Sequence, residues 1–494
     1  MEDILADTHL LGRSFFEQLY CRNNSVTTSV SPQARYVEPG YHECYVVGVP
    51  YKETSTVWDR AHVVGIDVPP DSKFSYEEGV EVLLNLARNV FLHQPTRVYL
   101  FGLFETGKQR EFWVFDRTGV YRSGLFDDEC NLQDLLDQYG KVTELELGKN
   151  PFIKQEFGGP QYIYIKGGES QIASYESDHS RGYKLVLDEK PLSRPGDIVS
   201  VRAAWYRATD KFNNKFVVRF SGREQSQDEE KFLRRAKERN VWGITHPIDY
   251  QYIEARRLSC TVMPRFGRPI THYYTVLEVL ECMRDAIKAH RSLCIDAKIL
   301  HRDICLHNLF ISHPENDSPD ASKGILISFN TAMDLEIEPE KPYRLDGTES
   351  FIAIDLSRSS SDSVLPTYRH DLESFFYVFL FIAIGGHRGL PGDSRLKLWQ
   401  AGFRNWPEIA EKKRKDISSN DNFAAILAEF RQEFKGLESL AYALRDVLFF
   451  PEINDFFTGT DMDVEATEKL YAGMIGAFEK AIIEIESEAG NYYR

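Results

Sequence analysis

The chain has 494 residues, 42% hydrophobic and 27% charged, a composition that excludes a disordered or fibrous protein and supplies cores for two or three domains. A net charge of −16 argues against nucleic acid held on a basic surface as a partner. Seven cysteines, odd in number and without a C-x-x-C pair, form neither a disulfide framework nor a zinc site and fit a reducing, intracellular compartment, cytoplasmic or nuclear.

In chain order, Met1 to Leu11 carries Glu2, Asp3 and Asp7 and no apolar core, so it does not read as a secretory signal. Val80, Leu83, Leu84, Ala87, Val90 and Phe91 recur at helical spacing and predict a helix over Tyr76–Leu92. Arg97–Glu105 and Glu111–Tyr121 are aromatic and β-branched around Thr106-Gly107-Lys108, the pattern of a hairpin. Asn131–Tyr139 reads as a short helix capped by Asn131. The polar stretch Gly167–Gly182 is the expected boundary of an N-terminal α/β domain, residues 1–175. A strand-rich stretch, 176–263, follows: Ile198–Tyr206, Lys215–Phe220, a charged helix Asp228–Glu238, then Thr245–Tyr252 and Leu258–Met263. After Pro264 the character is helical to the end, 264–494. Helices are expected over Tyr274–His290, with Val276, Leu280, Met283 and Ile287 on one face, and from Asp371 to about Ala383.

His313–Ser322 and the serine cluster Ser357–Ser363 read as solvated loops. Lys412-Lys413-Arg414-Lys415 reads as one solvated helix face, with a nuclear-import signal as the other option. The longest apolar run, Phe375–Ile384, is about half of the ~20 residues a membrane span needs, so no membrane partner is expected.

The most informative segment is His301-Arg302-Asp303-Ile304-Cys305-Leu306-His307-Asn308, which matches the kinase catalytic loop H-R-D-x-x-x-x-N. That spacing lets a carboxylate meet a substrate hydroxyl while an amide oxygen five residues on holds a metal ion. Asp303 is the candidate base and Asn308 the candidate magnesium ligand. Three more segments fall in kinase order. Gly324–Ala332 occupies the place of the metal-binding D-F-G. Gly347-Thr348 and Phe351–Asp355 sit where an activation segment ends, with Asp355 for the usual glutamate. Asp371 opens a hydrophobic helix where kinases place an aspartate that braces the catalytic loop. His301, Arg302 and Asp371 are therefore assigned structural roles.

Together, HRDICLHN, GTESFIAID and YRHDLESFFYV resemble the fungal-type protein kinase family. The likeness extends to Gln94-Pro95-Thr96-Arg97 and Asp116-Arg117-Thr118-Gly119-Val120, and runs roughly from Trp58 to Pro451. It implies an α+β, two-lobed protein kinase-like fold: a small β-rich lobe, a large helical lobe, ATP with Mg²⁺ between them, and a family-specific α/β domain in front.

The pattern breaks where phosphate and metal should be held. The expected L-I-D-F-D-L-A reads Leu326-Ile327-Ser328-Phe329-Asn330-Thr331-Ala332, and a serine hydroxyl is a neutral, weaker ligand for Mg²⁺. The strand Phe216-Val217-Val218-Arg219 matches V-A-I-K with arginine for lysine. A planar guanidinium is a poor substitute for a compact ammonium at a tight phosphate site. Glu229 is the candidate helix partner of Arg219. Ser193–Arg207 contains only Gly196, too little glycine for a phosphate-cradling loop.

These departures lead to the expectation of a pseudokinase acting as a regulator or scaffold through protein contacts. The alternative is an active ATP-dependent Ser/Thr kinase with a non-standard ATP and Mg²⁺ site. In the N-terminal domain, His62–Asp67 stands where the family's E-x-K-like element invites comparison with nucleases. It holds one carboxylate and no lysine, so a structural or partner-binding role is expected there.

Overall fold

The structure is a computed structural model. It describes residues 35–36, 43–48, 57–70, 75–117, 119–127, 143, 145–156, 159–165, 183–192, 198, 203–222, 226–253, 258–265, 267–313, 321–337, 347–358, 364–400, 406–451 and 455–492. The helix expected over Asn131–Tyr139 and the stretch Gly167–Gly182 lie outside the described residues. The chain divides into two compact units: residues up to Ser226 with Ile248–Val262, and Gln227–Pro247 with Met263 onward.

Among the described residues, the first unit holds two sheets. In the first, strands run in the order Arg35–Tyr36, Glu43–Gly48, Ala61–Asp67, Tyr99–Thr106, Gln109–Asp116 and Val120–Arg122. Ala61–Asp67 and Tyr99–Thr106 are parallel, joined by helix α1 (Tyr76–His93), which supplies the crossover that parallel pairing demands. Ser75 starts this helix with a capping box, accepting from Glu78 N–H while Glu78 reaches back to Ser75 N–H. The expected hairpin forms with Thr106 opposite Gln109, leaving Gly107-Lys108 as its turn, with Gly107 at φ 59°. Leu83, Leu86, Ala87, Val90 and Phe91 of α1 pack on Val64, Ile66, Leu100 and Phe104 of the sheet.

Two family-like elements prove to be struts of this core. Gln94 donates from Nε2 to Trp58 O (2.7 Å) and Ala61 O (2.9 Å), while its Oε1 accepts from Arg97 Nε (2.8 Å). Arg97 also donates to Ala61 O at 2.7 Å, and Arg117 lays its guanidinium 4.2 Å over Phe91 while donating to Pro95 O. A buried guanidinium shared among backbone carbonyls satisfies polar groups that the core would otherwise strand.

The second sheet runs Asp249–Ile253, Leu258–Pro264, Lys215–Gly222, Ala204–Thr209, Tyr183–Leu187, Gln161–Ile165, Lys154–Gln155. It therefore crosses the boundary expected at residue 175. Gln251 Nε2, on one side of this order, donates to Tyr164 O on the other at 2.9 Å, so the sheet is rolled toward closure around Ile163, Leu185, Tyr206, Val218, Phe220 and Cys260.

The second unit is helical. Its helices among the described residues are α2 (Ser226–Glu238), α3 (Val276–Ile295), α4 (Ile354–Arg358), α5 (Tyr368–Gly385), α6 (Trp406–Ser418), α7 (Asn420–Leu427), α8 (Glu438–Phe449) and α9 (Val464–Tyr492). All of α5 is buried: beyond its charged first turns, whose groups are paired internally, it is apolar on every side. No helix among the described residues is long and apolar enough to cross a membrane.

Short strands Gly267–Pro269, Leu309–Ser312 and Gly324–Leu326 form a small sheet against α3. A Cβ on Gly324 would lie 2.0 Å from Cys282 O of that helix, so only glycine permits the approach. Gly324→Ala is expected to destabilise the protein by about 3 kcal/mol, as overpacking against an unyielding backbone does; urea unfolding of the variant beside the wild type measures it.

Candidate catalytic loop site

The loop sits between two ladders of the helical unit. Ile299–Leu300 pairs with Met333–Asp334 before it, and Leu309–Ser312 pairs with Gly324–Leu326 after it. Residues 301–308 and 327–332 are thus two facing loops held at both ends. His301 is fully buried and joins them: Nε2 donates to Ile327 O (3.0 Å) and Nδ1 accepts from Asp303 N–H (3.2 Å). Burial pushes its pKa down, so the ring is the neutral tautomer that this bonding requires. Thr331 Oγ1 closes the second side by donating to His301 O.

Both loops turn at a non-glycine residue in the left-handed region, Arg302 at φ 67° and Ser328 at φ 73°. Each such turn costs about 1–2 kcal/mol. At Arg302 the cost is offset by its N–H, which donates to the buried Asp371 carboxylate at 3.0 Å. Asp371 opens α5, and the same Oδ2 also accepts from His290 Nε2 of α3 at 2.8 Å.

Asp303 is half-buried and closely fixed. Its Oδ1 accepts from Thr348 N–H (3.0 Å) and Thr348 Oγ1 (2.9 Å), and its Oδ2 from Asn308 Nδ2 (2.9 Å). Oδ2 therefore keeps a lone pair for a substrate hydroxyl. Asn308 Nδ2 also donates to Asp303 O at 2.7 Å, which commits the amide nitrogen and leaves Oδ1 as the group that would face a cation. Thr348 is a site residue that sequence reasoning placed in the right segment without its role. Its partner is forty-five positions away in the chain, and no local pattern encodes that contact.

Ser328 is half-buried beside these groups in sequence order, and its hydroxyl makes no hydrogen bond among the described residues. Glu229, buried on α2, accepts from Phe329 N–H at 3.2 Å. The same helix is tied to the chain beyond the loop by Arg235, bidentate on Asp334 at 2.7 Å, and by Lys231 at 3.0 Å. The Arg235 hydrogen bonds hold the Asp334 carboxyl well below the usual range. Arg219 belongs to the other unit. It is buried opposite Trp205 in the strand register, with its guanidinium 5.5 Å over the indole.

Beyond the loop, Asp355 Oδ1 accepts from Thr458 Oγ1, while the buried ion pair of this region falls to Glu373, which accepts from Arg369 (2.7 Å) and from Ile354 N–H (2.7 Å). Lys413 corrects the expectation of a uniformly solvated basic face. It is fully buried, donates to Ile352 O at 2.7 Å, and lies 4.6 Å over the Tyr377 ring. Only Arg414 and Lys415 of that run are exposed. In the first unit, His62–Asp67 is a core strand whose residues through Ile66 are buried, and His62 is held neutral by burial, with a pKa of about 3. Among the described residues no three His, Cys, Asp or Glu side chains converge as a metal site would require.

A family model described as "Fungal protein kinase" matches residues 48–257 and 245–383. No curated protein matches the chain. Among solved structures, the one described as "Structure of vaccinia related kinase 3" is similar at 14% identity with a TM-score of 0.39, over 68% of this chain and 90% of that one.

Two buried cations give opposite pH signatures. Burial lowers Lys413 to about 7, below its unfolded value, so the unfolded state binds more protons; the penalty is full below pH 7 and disappears by about pH 10.5. At His290 burial opposes the charge, but Cys294 and Asp371 raise it to about 10. Its stabilisation is full below about pH 6.5 and fades as pH rises toward 10. Lys413→Met is expected to remove the rising contribution, so that stability between pH 7 and 10 declines more steeply than in the wild type; chemical denaturation across that range measures the slope.

Proposed function

This chain belongs to the fungal protein kinase family, and on that premise we propose that it is a pseudokinase, a regulator or scaffold working through protein contacts in an intracellular compartment. The observation that carries this proposal is Ser328, a half-buried neutral side chain at the left-handed turn where kinases place their metal-binding aspartate. At the two positions where kinases hold the metal ion, the groups present are Asn308 Oδ1 and Ser328 Oγ, both neutral oxygens. Mg²⁺ is bound chiefly through carboxylates, and two neutral oxygens do not fit an ion held by the protein, so no step is assigned to one. Arg219 supports the same conclusion from the other unit. It keeps a positive charge, but as a broad guanidinium over Trp205 rather than as a compact ammonium.

Magnitudes favour this side. Losing two transition-state contacts, each worth about 10²–10³ in rate, would total ~10⁴–10⁶ if independent. Against a kinase turnover of ~1–100 per second, about 10⁻⁶–10⁻² per second remains. Such losses are seldom additive, which moves the expectation toward the upper end.

A second reading has its own observation. Three hydrogen bonds aim the Asp303 carboxylate and leave a lone pair on Oδ2, an arrangement suited to a general base in a Ser/Thr kinase with ATP and Mg²⁺. A radiolabelled transfer assay separates the two. The wild type is expected to transfer at or below about 10⁻² per second, and the Arg219→Lys, Ser328→Asp double variant to gain at least about 100-fold. Wild-type turnover many times per minute, abolished by Asp303→Ala, would overturn the pseudokinase assignment.

A further inference from the structure

We propose that Tyr471 and His290 are positioning residues of the catalytic loop: a hydrogen-bonded chain from the last helix, through Asp371, sets the backbone at Arg302 and with it the aim of Asp303. The chain has four members on four elements. Tyr471 of α9 meets His290 Nδ1 of α3 at 2.8 Å, His290 Nε2 meets Asp371 Oδ2 of α5 at 2.8 Å, and the same oxygen accepts from Arg302 N–H at 3.0 Å. Tyr471 and His290 have no exposed surface and Asp371 retains 4%, so water is a poor substitute for any member.

Two features distinguish this from ordinary core filling. First, a carboxylate buried at the start of an aromatic helix requires a cation, and His290 is the ion-pair partner it has among the described residues. Without it Asp371 would take up a proton or seek water, and Oδ2 would weaken as the acceptor for Arg302. Arg302 sits in a left-handed conformation that it leaves unless that bond holds it. Asp303 follows directly in the chain.

Second, Tyr471 is held in register by ion pairs on both sides. Glu468, one turn earlier, takes Arg291 at 2.5 and 2.7 Å, and Glu479, two turns later, takes Lys288 at 2.8 Å. Such half-exposed pairs contribute little stability singly. Placed around Tyr471, they fix which residue of α9 faces His290. Ring contacts at 5.9 Å to His290 and 5.8 Å to Tyr368 fix its side chain further.

The proposal concerns loop geometry and holds whether or not the loop transfers phosphate, so the test uses amide hydrogen exchange on the full chain rather than activity. His290→Leu is expected to speed exchange at the 301–304 amides roughly ten- to hundredfold, the loss of a hydrogen bond to a charged partner. Tyr471→Phe, which deletes one oxygen and keeps the ring, is expected to give a smaller rise at the same amides. His290→Gln, which retains a donor toward Asp371, is expected to restore part of the protection. In all three, amides of α5 and of Leu309–Ser312 should exchange as in the wild type. Unchanged exchange at 301–304, or a rise spread evenly over the helical unit, would overturn the proposal. If His290→Leu fails to fold, Tyr471→Phe decides by the same two criteria.

Discussion

A single buried carboxylate, that of Asp371, governs the helical unit. Burying a charge is costly, and here the cost is met by His290 and by the Arg302 amide on one oxygen. Those two bonds draw α3, α5 and the 301–308 loop to a common point. They also hold Arg302 in a backbone conformation that it would otherwise abandon. His301 and Asn308 then fall into place between the ladders at 299–300 and 309–312, which fix both ends of the loop, and Thr348 fixes the Asp303 carboxylate from a distant segment.

This dependence runs through backbone and structural side chains rather than through the groups that do chemistry. Ser328 adopts the left-handed turn without a metal-binding carboxylate, and Glu229 is occupied by Phe329 N–H within its own unit. The residues at the expected phosphate and metal positions are therefore not the ones that hold the frame. A frame maintained by Asp371, Glu373 and Asp334, each with dedicated donors, is independent of those positions, as the proposed regulatory role requires. The same separation lets function change while the fold is retained.

Electrostatics inside the helical unit is arranged in opposed pairs. His290 carries a charge that stabilises the fold, while Lys413 carries one that burdens it, with a carbonyl and aromatic faces as partners. Lys413 nevertheless grips Ile352 O, four residues after the threonine that orients Asp303. A buried amine in that place ties the segment following the loop to α6 at the expense of stability.

The sequence by itself determined the local elements and the identity of the motif. Periodicity gave α1, α3 and α5, the turn signal Thr106-Gly107-Lys108 gave the hairpin after Tyr99, and the spacing from His301 to Asn308 gave the loop, because each depends on neighbours within a few residues. Spacing in sequence also located Asp371. Only the tertiary structure decided who bonds to whom across long separations: Thr348 on Asp303, Tyr471 on His290, Arg235 on Asp334, Lys413 beneath Ile352. It also placed the strands at 154–165 in the same sheet as those at 183–264, across the polar stretch that composition marks as a boundary. The physical reason is common to all of these. A hydrogen bond or strand pairing between distant segments is set by packing of the whole unit, and the residues involved carry no local signature of the partner they will meet.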